Sequence, residues 1–194
     1  MVAIQALASR VLSPLPVGAC LLIAWVVLTG ALHLDGLGDL CDALYAGTTP
    51  SDRLRIMKDP HIGAVGVVGI VTILLTKFSL LAIAPSPSAL LLSPCVGRYV
   101  MVLLATTLPY ARTGSGTAAA FVRSSRPRDL IVASATTLLA IIWMLGLVGI
   151  GLLAAVLAGG LVLRELSRRS LGGITGDALG ASGELVETLA LLML

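Results

Sequence analysis

Long apolar runs limit most strongly what this chain can fold into. Residues 130–163 contain no charged side chain, and similar runs cover residues 14–34 and, with a single lysine, 62–84. About 20 helical residues cross the roughly 30 Å hydrocarbon layer of a bilayer. The sequence therefore predicts an integral membrane protein that crosses a lipid bilayer several times, rather than a soluble globular domain.

Composition supports this prediction and excludes other classes of protein. Hydrophobic residues make up 57% of the chain and charged residues 12%, against about 25% charged residues in soluble domains. The formal net charge is +3, but the basic residues lie in short loops between apolar runs, without interleaved aromatic residues. We therefore expect no nucleic-acid binding. The cysteines, Cys20, Cys41 and Cys95, are scattered and are interpreted as buried thiols, neither a disulfide set nor a metal site.

The spacing of the apolar runs predicts an all-α fold, a polytopic transmembrane helix bundle of about six spans in one membrane domain, residues 1–194. Residues 130–163 would form a helix about 50 Å long, too long for one crossing, so we predict two spans that turn near Gly146, Gly149 and Gly151. A polar stretch is expected at residues 35–61. The predicted spans are 14–34, 62–84, 89–108, two within 130–163, and 177–194.

Three basic loops indicate how the chain is oriented. They lie within residues 35–61, 110–129 and 164–176, and each is separated from the next by two predicted spans, so all three should share one side. The positive-inside rule makes that side cytoplasmic. We expect a multi-pass protein of the cell inner membrane. This topology places Met1 outside, which a missing upstream span would explain most simply.

The densest group of polar residues follows the first apolar run. Asp35, Asp39 and Asp42 are spaced i, i+4, i+7, which puts three carboxylates on one face of a helix. Like charges at this spacing repel, and a divalent cation such as Mg²⁺, which prefers oxygen ligands, would remove the conflict. The structural alternative is a solvated acidic helix end.

A second acidic, glycine-rich segment covers residues 172–184. Asp177 and Glu184 are seven residues apart and share a helical face, and the free N–H groups of the helix start could hold a phosphate. The alternative is a helix cap at Asp177, with glycines that serve close helix packing.

Several charged residues fall inside predicted spans, where each costs from about 2.5 kcal/mol upward at the bilayer centre. Lys77 is expected to pair with an acid or to snorkel, and Glu187 to pair inside the bundle. The planar fork of Arg98 suits a phosphate. Lys58 and Asp59, beside a span start, either contact substrate or anchor the membrane interface. Nucleophile-elbow, P-loop and zinc-protease motifs are absent from the sequence.

Four segments together resemble cobalamin synthase, the adenosylcobinamide-GDP ribazoletransferase family. HLDGLGDLCDAL is similar to the family's HLDGLADTxDG, and IMKDPHIGAVGVV to IMRDSxIGAxGV. GRYVMVLLATTLPYARTGSGTAAAF and LGGITGDALGASGELVE also match family segments, in the same order. Gly38 stands where the family often has alanine. Family members usually begin some fifty residues earlier, so this chain is expected to lack an N-terminal segment.

The resemblance implies the last assembly step of the corrinoid nucleotide loop. Adenosylcobinamide-GDP and α-ribazole (or its 5′-phosphate) would give cobalamin (or its phosphate) and GMP. Asp35, Asp39 and Asp177 are then predicted to hold Mg²⁺ against the diphosphate. Asp42 is predicted to accept the proton of the attacking hydroxyl, with His33 as the alternative base or as a residue that supports the site from behind. The predicted substrate contacts are Lys58, Asp59, Arg98 and Thr175.

Two alternatives come from other classes. Membrane phosphotransferases that use CDP-alcohols also place spaced aspartates at a helix end, but their DGxxAR pattern is incomplete here. A corrinoid transporter or non-catalytic scaffold would use its intramembrane charges to line a path, although the two acidic segments show no repeat. A homo-oligomer, or a complex with other corrinoid-pathway enzymes, is compatible with the sequence.

Overall fold

The structure, a computed structural model, describes residues 1–83, 85–114 and 117–194. The last residue of the predicted span 62–84 and two residues of the third family-like segment, Ser115 and Gly116, lie outside the described residues. The described residues form α-helices joined by short turns, as predicted. The helices are α1 (Val2–Ala8), α2 (Pro14–Thr29), α3 (Leu32–Ala46), α4 (Pro50–Ile56), α5 (Ala64–Ala82), α6 (Pro87–Thr107), α7 (Thr117–Ser124), α8 (Pro127–Leu145), α9 (Gly149–Leu171) and α10 (Gly176–Met193).

Within the part of the chain that the structure describes, three segments are long and apolar enough to cross a membrane, namely α5, α6 and Pro127–Leu171. A fourth is counted if α2 and α3, which meet at an angle of 86°, form one broken span. Helix α10 carries three acidic side chains and is not among them. The molecule is thus a membrane helix bundle, and the predicted six spans are approximate.

The segment Pro127–Leu171 folds back on itself. A short 3₁₀ turn at Gly146–Val148 separates α8 from α9, and Gly149 packs against the side chain of Ile141. Eight residues of a continuous helix would separate these two by about 12 Å. The chain therefore reverses here, as predicted from its length and its glycines, and both α8 and α9 pack on α6.

The first predicted span, residues 14–34, extends beyond the end of the helix that the structure shows, α2. Helix α2 ends at Thr29, because Gly30 and Ala31 both adopt the left-handed conformation, with φ of 60° and 58°. The predicted polar stretch 35–61 is also mostly helical, since it contains α3 and α4. Leu34, Leu37 and Leu40 on one face of α3 are buried in the core, which holds this helix against α5 and α10.

The three basic loops meet at one end of the bundle. Arg53 donates a hydrogen bond to the Ser170 carbonyl at 3.2 Å, and Arg112 donates one to the Met57 carbonyl at 3.1 Å. These contacts join the first loop to the third and to the second, as the charge pattern predicts. We call this end, where α3 finishes and α5 and α10 begin, the loop end.

Candidate functional site

Helices α3 and α10 cross in direct backbone contact at the loop end. A Cβ atom on Gly36 would stand 2.6 Å from the Asp177 Cα, and one on Gly180 would stand 3.0 Å from the His33 Cα. Only residues without a side chain allow helices to approach so closely. The two acidic segments, far apart in sequence, are therefore brought together.

Three carboxylates converge around this crossing. Asp35 is exposed, whereas Asp39 and Asp177 are half-buried, and the charges of Asp35 and Asp177 both act on Asp39. Arg112 lies with its Nη2 2.6 Å from Asp177 Oδ2. The N–H of Arg112 does not point at that oxygen, which has no hydrogen-bond donor within the described part of the chain. The site thus holds three carboxylates against a nearby cation, Arg112, which compensates only part of their charge.

These carboxylates have the donor chemistry that Mg²⁺ prefers. Among the described residues, however, no three acidic, histidine or cysteine side chains are close enough to form a ready-made metal site. Binding of Mg²⁺ by Asp35, Asp39 and Asp177 therefore stays a prediction, one that requires their side chains to turn toward a common point.

Asp42 holds the start of α5. Its two carboxylate oxygens accept the backbone N–H groups of Gly63 at 2.7 Å and of Gly66 at 2.8 Å. A side chain at either glycine would collide with this carboxylate. Both oxygens are thus used in capping a helix, and the geometry does not support the predicted role of Asp42 as proton acceptor.

A short backbone bridge joins the third and fourth family-like segments. The Ala111 N–H donates to the Ile174 carbonyl, and the Ile174 N–H donates to the Pro109 carbonyl, each at 2.9 Å. The next residue, Thr175, is fully buried, and its hydroxyl accepts the Ala178 N–H at 3.1 Å. Thr175 is therefore the cap of α10, which leaves it no exposed surface for the predicted substrate contact.

A cavity of about 460 Å³ opens beside the crossing, between α3, α6, α7 and α10. Most of its wall is apolar or aromatic, and a few polar side chains converge on it, as in many small-molecule sites. The residues that define its character are Leu32, Met101 and Phe121 on the apolar side and His33, Arg112 and Asp177 on the polar side.

His33 is a half-buried polar side chain in the wall of this cavity. Its Nδ1 lies 3.8 Å from Glu184 Oε1, too far for a hydrogen bond, and has no other partner in the described residues. A buried ring nitrogen without a partner is unusual. The Nδ1 atom of His33 is therefore not used in a structural hydrogen bond, and the role of His33 as an alternative base stays a prediction.

Lys58 and Asp59, the predicted substrate contacts of the first loop, are both exposed. Lys58 lines a second cavity together with Arg55 and Arg112. Asp59 accepts hydrogen bonds from the backbone N–H of His61 at 3.0 Å and from its ring at 2.7 Å, which lower the pKa of Asp59. Only Lys58 therefore lies in a cavity, whereas Asp59 forms a local turn.

A buried ionic network lies beyond His33 and joins four helices. Lys77 Nζ lies 2.5 Å from Glu184 and 2.8 Å from Glu187, and Trp25 Nε1 donates to Glu187 at 2.9 Å. Arg98 pairs with Glu187 as well. The predicted pairing of Lys77 with an acid is confirmed, whereas the predicted contact of Arg98 with a phosphate stays a prediction, since Arg98 also pairs with a protein carboxylate.

Two residues that contribute contacts, Arg112 and Trp25, could not be assigned these roles from the sequence. Arg112 follows the LPYA motif but was counted only as a loop charge. Trp25 lies in an apolar run, where nothing marks its contact with Glu187. Pairings between residues more than 60 positions apart leave no periodic signal in one sequence.

Comparison with known proteins gives a consistent result. The family model for cobalamin-5-phosphate synthase matches residues 1–194. The chain is 45% identical over 186 residues to an adenosylcobinamide-GDP ribazoletransferase of Stutzerimonas stutzeri, covering 93% of this chain and 74% of that protein. It is 44% identical over 195 residues to the enzyme of that name from Syntrophobacter fumaroxidans, covering 96% and 78%. A third relative of the same name, from Desulforamulus reducens, is 36% identical, covering 89% and 70%. No solved structure matches the chain.

Proposed function

This chain belongs to the cobalamin-5-phosphate synthase family, and on that premise we propose that the α3–α10 crossing is its active site. The activity is that of an adenosylcobinamide-GDP ribazoletransferase, the final step of cobalamin assembly. The observation that supports this location most strongly is that all four family-like segments meet here. Asp42 links the first segment to the second, and Gly36 links the first to the fourth. The Ala111–Ile174 bridge links the third to the fourth.

The reaction exchanges one phosphate ester bond for another. The 5′-hydroxyl oxygen of α-ribazole bonds to the phosphorus attached to adenosylcobinamide. The bond from that phosphorus to the oxygen shared with the GMP phosphate breaks, so that GMP leaves with the electron pair. The hydroxyl proton goes to a base. Such a transfer depends on alignment and charge neutralisation more than on covalent catalysis.

Asp35, Asp39 and Asp177 are the residues that would hold Mg²⁺. When bound, the ion would neutralise charge on the diphosphate and on the leaving GMP. Arg112 is the protein side chain that would neutralise charge on the diphosphate, because it lines the same cavity and lies beside Asp177. A guanidinium at this place binds phosphate oxygens and keeps its charge at any physiological pH.

His33 is the proton acceptor in this proposal. It lines the cavity, and its Nδ1 faces the carboxylate of Glu184 at 3.8 Å. A small movement would let Nδ1–H donate to Glu184, which would leave the other ring nitrogen unprotonated and able to take a proton. Asp42 instead serves as the cap that fixes the end of α3 against α5.

The loop end is proposed to face the cytoplasm, in the inner membrane. Its basic loops supply the charge bias that keeps short loops on that side. Soluble α-ribazole and the nucleotide part of the donor would then reach the site from water. Labelling of single cysteines placed at residues 55 and 126 in intact and in opened cells tests this orientation.

Turnover by the purified protein tests the proposed function directly. With adenosylcobinamide-GDP, α-ribazole and Mg²⁺ we expect GMP and cobalamin in equal amounts, and no CMP from a CDP-alcohol. His33→Gln should lower kcat by about 10²–10⁴-fold with little change in thermal stability. Release of CMP, or corrinoid flux across proteoliposomes without GMP release, would contradict the proposal.

A further inference from the structure

A second cavity, of about 340 Å³, lies at the loop end between α4 and residues 111–113. Three cationic side chains line it, Arg55, Lys58 and Arg112, with the hydroxyl groups of Ser51 and Thr113, and no acidic side chain does so among the described residues. A concave surface with this charge binds anions that also accept hydrogen bonds, above all phosphate groups. We call it the basic cavity.

Arg112 belongs to the basic cavity and to the cavity beside the α3–α10 crossing. It is mostly buried and held between two elements, with Nη2 3.1 Å from the Met57 carbonyl and 2.6 Å from Asp177. Its Nε is buried and has no acceptor in the described residues. Arg112 thus lines both cavities and is held in place by these two contacts. Its Nε–H group can still donate a hydrogen bond.

The two cavities differ in polarity, and the two ligands proposed for them, α-ribazole and GMP, differ in the same way. The cavity at the crossing has apolar walls, including Leu32, Met101 and Phe121, which suit the apolar two-ring base of α-ribazole. The basic cavity suits the phosphate of a nucleotide. A diphosphate that reaches from one to the other passes Arg112.

Resting on the proposed function, we propose that the basic cavity binds the GMP half of the donor while the cavity at the crossing binds α-ribazole, with Arg112 against the diphosphate between them. Arg55 and Lys58 are then specificity residues for the nucleotide. Arg55 Nη2 also donates to Asp52 at 2.8 Å, which leaves the rest of its fork free for a ligand. GMP would leave through the exposed side of α4.

The chain offers a matched control for nonspecific attraction of anions. Arg126 and Arg128 lie at the same end, are exposed and line neither cavity. The double variants Arg55→Gln/Lys58→Gln and Arg126→Gln/Arg128→Gln remove the same charge from the same side. Only the first pair should affect the nucleotide if the basic cavity is a specific site.

Binding of GMP and of α-ribazole is measured separately, by calorimetry on the full chain in neutral detergent, with thermal unfolding as the check on folding. Arg55→Gln/Lys58→Gln should weaken GMP binding by about tenfold or more, and α-ribazole binding by less than about twofold. Phe121→Ala should show the reverse pattern. Arg126→Gln/Arg128→Gln should change neither affinity by more than about twofold.

Three results would contradict this assignment of GMP and α-ribazole to separate cavities. Equal losses of GMP affinity in the two double variants would mean long-range attraction only. Equal losses for GMP and α-ribazole in Arg55→Gln/Lys58→Gln would mean a general disturbance. Loss of GMP binding when phosphatidylglycerol is added to wild-type micelles would mean a lipid headgroup site. Wild-type protein that binds neither ligand and releases no GMP would instead disprove the proposed function itself.

Discussion

Gly36 of α3 lies against Asp177 of α10, so closely that a Cβ atom on the glycine would stand 2.6 Å from the aspartate Cα. This contact decides the geometry of the site, because it sets the distance between carboxylates from opposite ends of the chain. Without it, the aspartates of α3 would form only an acidic helix face. The absence of a side chain at Gly36 is therefore a requirement for the site.

Replacement of Gly36 by alanine should separate the two helices. The added methyl group meets backbone atoms of Asp177, which have no way to move aside, so we expect a loss of about 1–3 kcal/mol in stability. That corresponds to a fall of roughly 2–12 °C in the unfolding temperature of a chain of this size. GMP release should fall with it.

Gly38→Ala is the matched control, two residues along the same helix. Its methyl group meets only the ends of the Ile70 and Ile62 side chains, at 3.0 and 3.2 Å, and these can rotate. Alanine also favours a helix over glycine. We expect an unchanged or slightly higher unfolding temperature and normal turnover. A Gly38→Ala variant as damaged as Gly36→Ala would show that the contact has no special role.

Asp42 offers a test between capping and catalysis. Asp42→Ala leaves the N–H groups of Gly63 and Gly66 without an acceptor and should cost about 0.5–2 kcal/mol in stability. Asp42→Asn keeps one acceptor oxygen and caps helices nearly as well as aspartate, so most of the stability and turnover should survive. If Asp42→Asn unfolds normally but loses kcat, Asp42 is the base after all.

The buried network around Lys77 should be essential for folding. Lys77→Met leaves Glu184 and Glu187 buried with Arg98 as their remaining cation, and breaking such a buried pair costs about 3–5 kcal/mol. Thermal unfolding in detergent should show a large loss, with Ser79→Ala, exposed on the same helix, as the unaffected control. Adding Glu184→Gln to Lys77→Met should restore part of the stability. If the stability losses of the two single variants simply add up in the double variant, Lys77 and Glu184 are not energetically coupled.

Metal binding has a readout that does not depend on turnover. A ligand that binds only the folded protein raises its unfolding temperature, so Mg²⁺ added after EDTA treatment should stabilise the wild-type chain. Asp177→Asn should abolish this shift, whereas Asp59→Asn, in the exposed turn with His61, should keep it. A shift of equal size in both variants would place the metal elsewhere.

The sequence predicts the helices that cross the bilayer much better than the elements near the site. The predicted span 89–108 differs by two residues or fewer from α6 at either end, because long apolar stretches have no stable alternative to a helix in lipid. The reversal near Gly146 follows from length alone. By contrast, Gly30 is the only local signal that α2 ends at Thr29, and nothing in residues 29–32 predicts that Ala31 also adopts a positive φ.

The candidate site was predictable as a set of segments but not as a set of contacts. Spacing alone placed Asp35, Asp39 and Asp42 on one helical face, and the family resemblance added Asp177. Asp42 accepts N–H groups at the start of α5, and Thr175 accepts the N–H group of Ala178. Both contacts depend on loop geometry that cannot be derived from a single sequence. The pairing of Arg98 with Glu187 could not be predicted for the same reason, since the two residues lie 89 positions apart.

The rate of GMP release in a double-mutant cycle of Asp35→Asn and Asp177→Asn tests the central claim most directly, namely that carboxylates of α3 and α10 act as one site. Each single variant should lose about a hundredfold or more in kcat, and the double variant should be hardly slower than either, because residues that act as a unit are not additive. Losses that multiply, or wild-type rates in Asp35→Asn, would contradict the account.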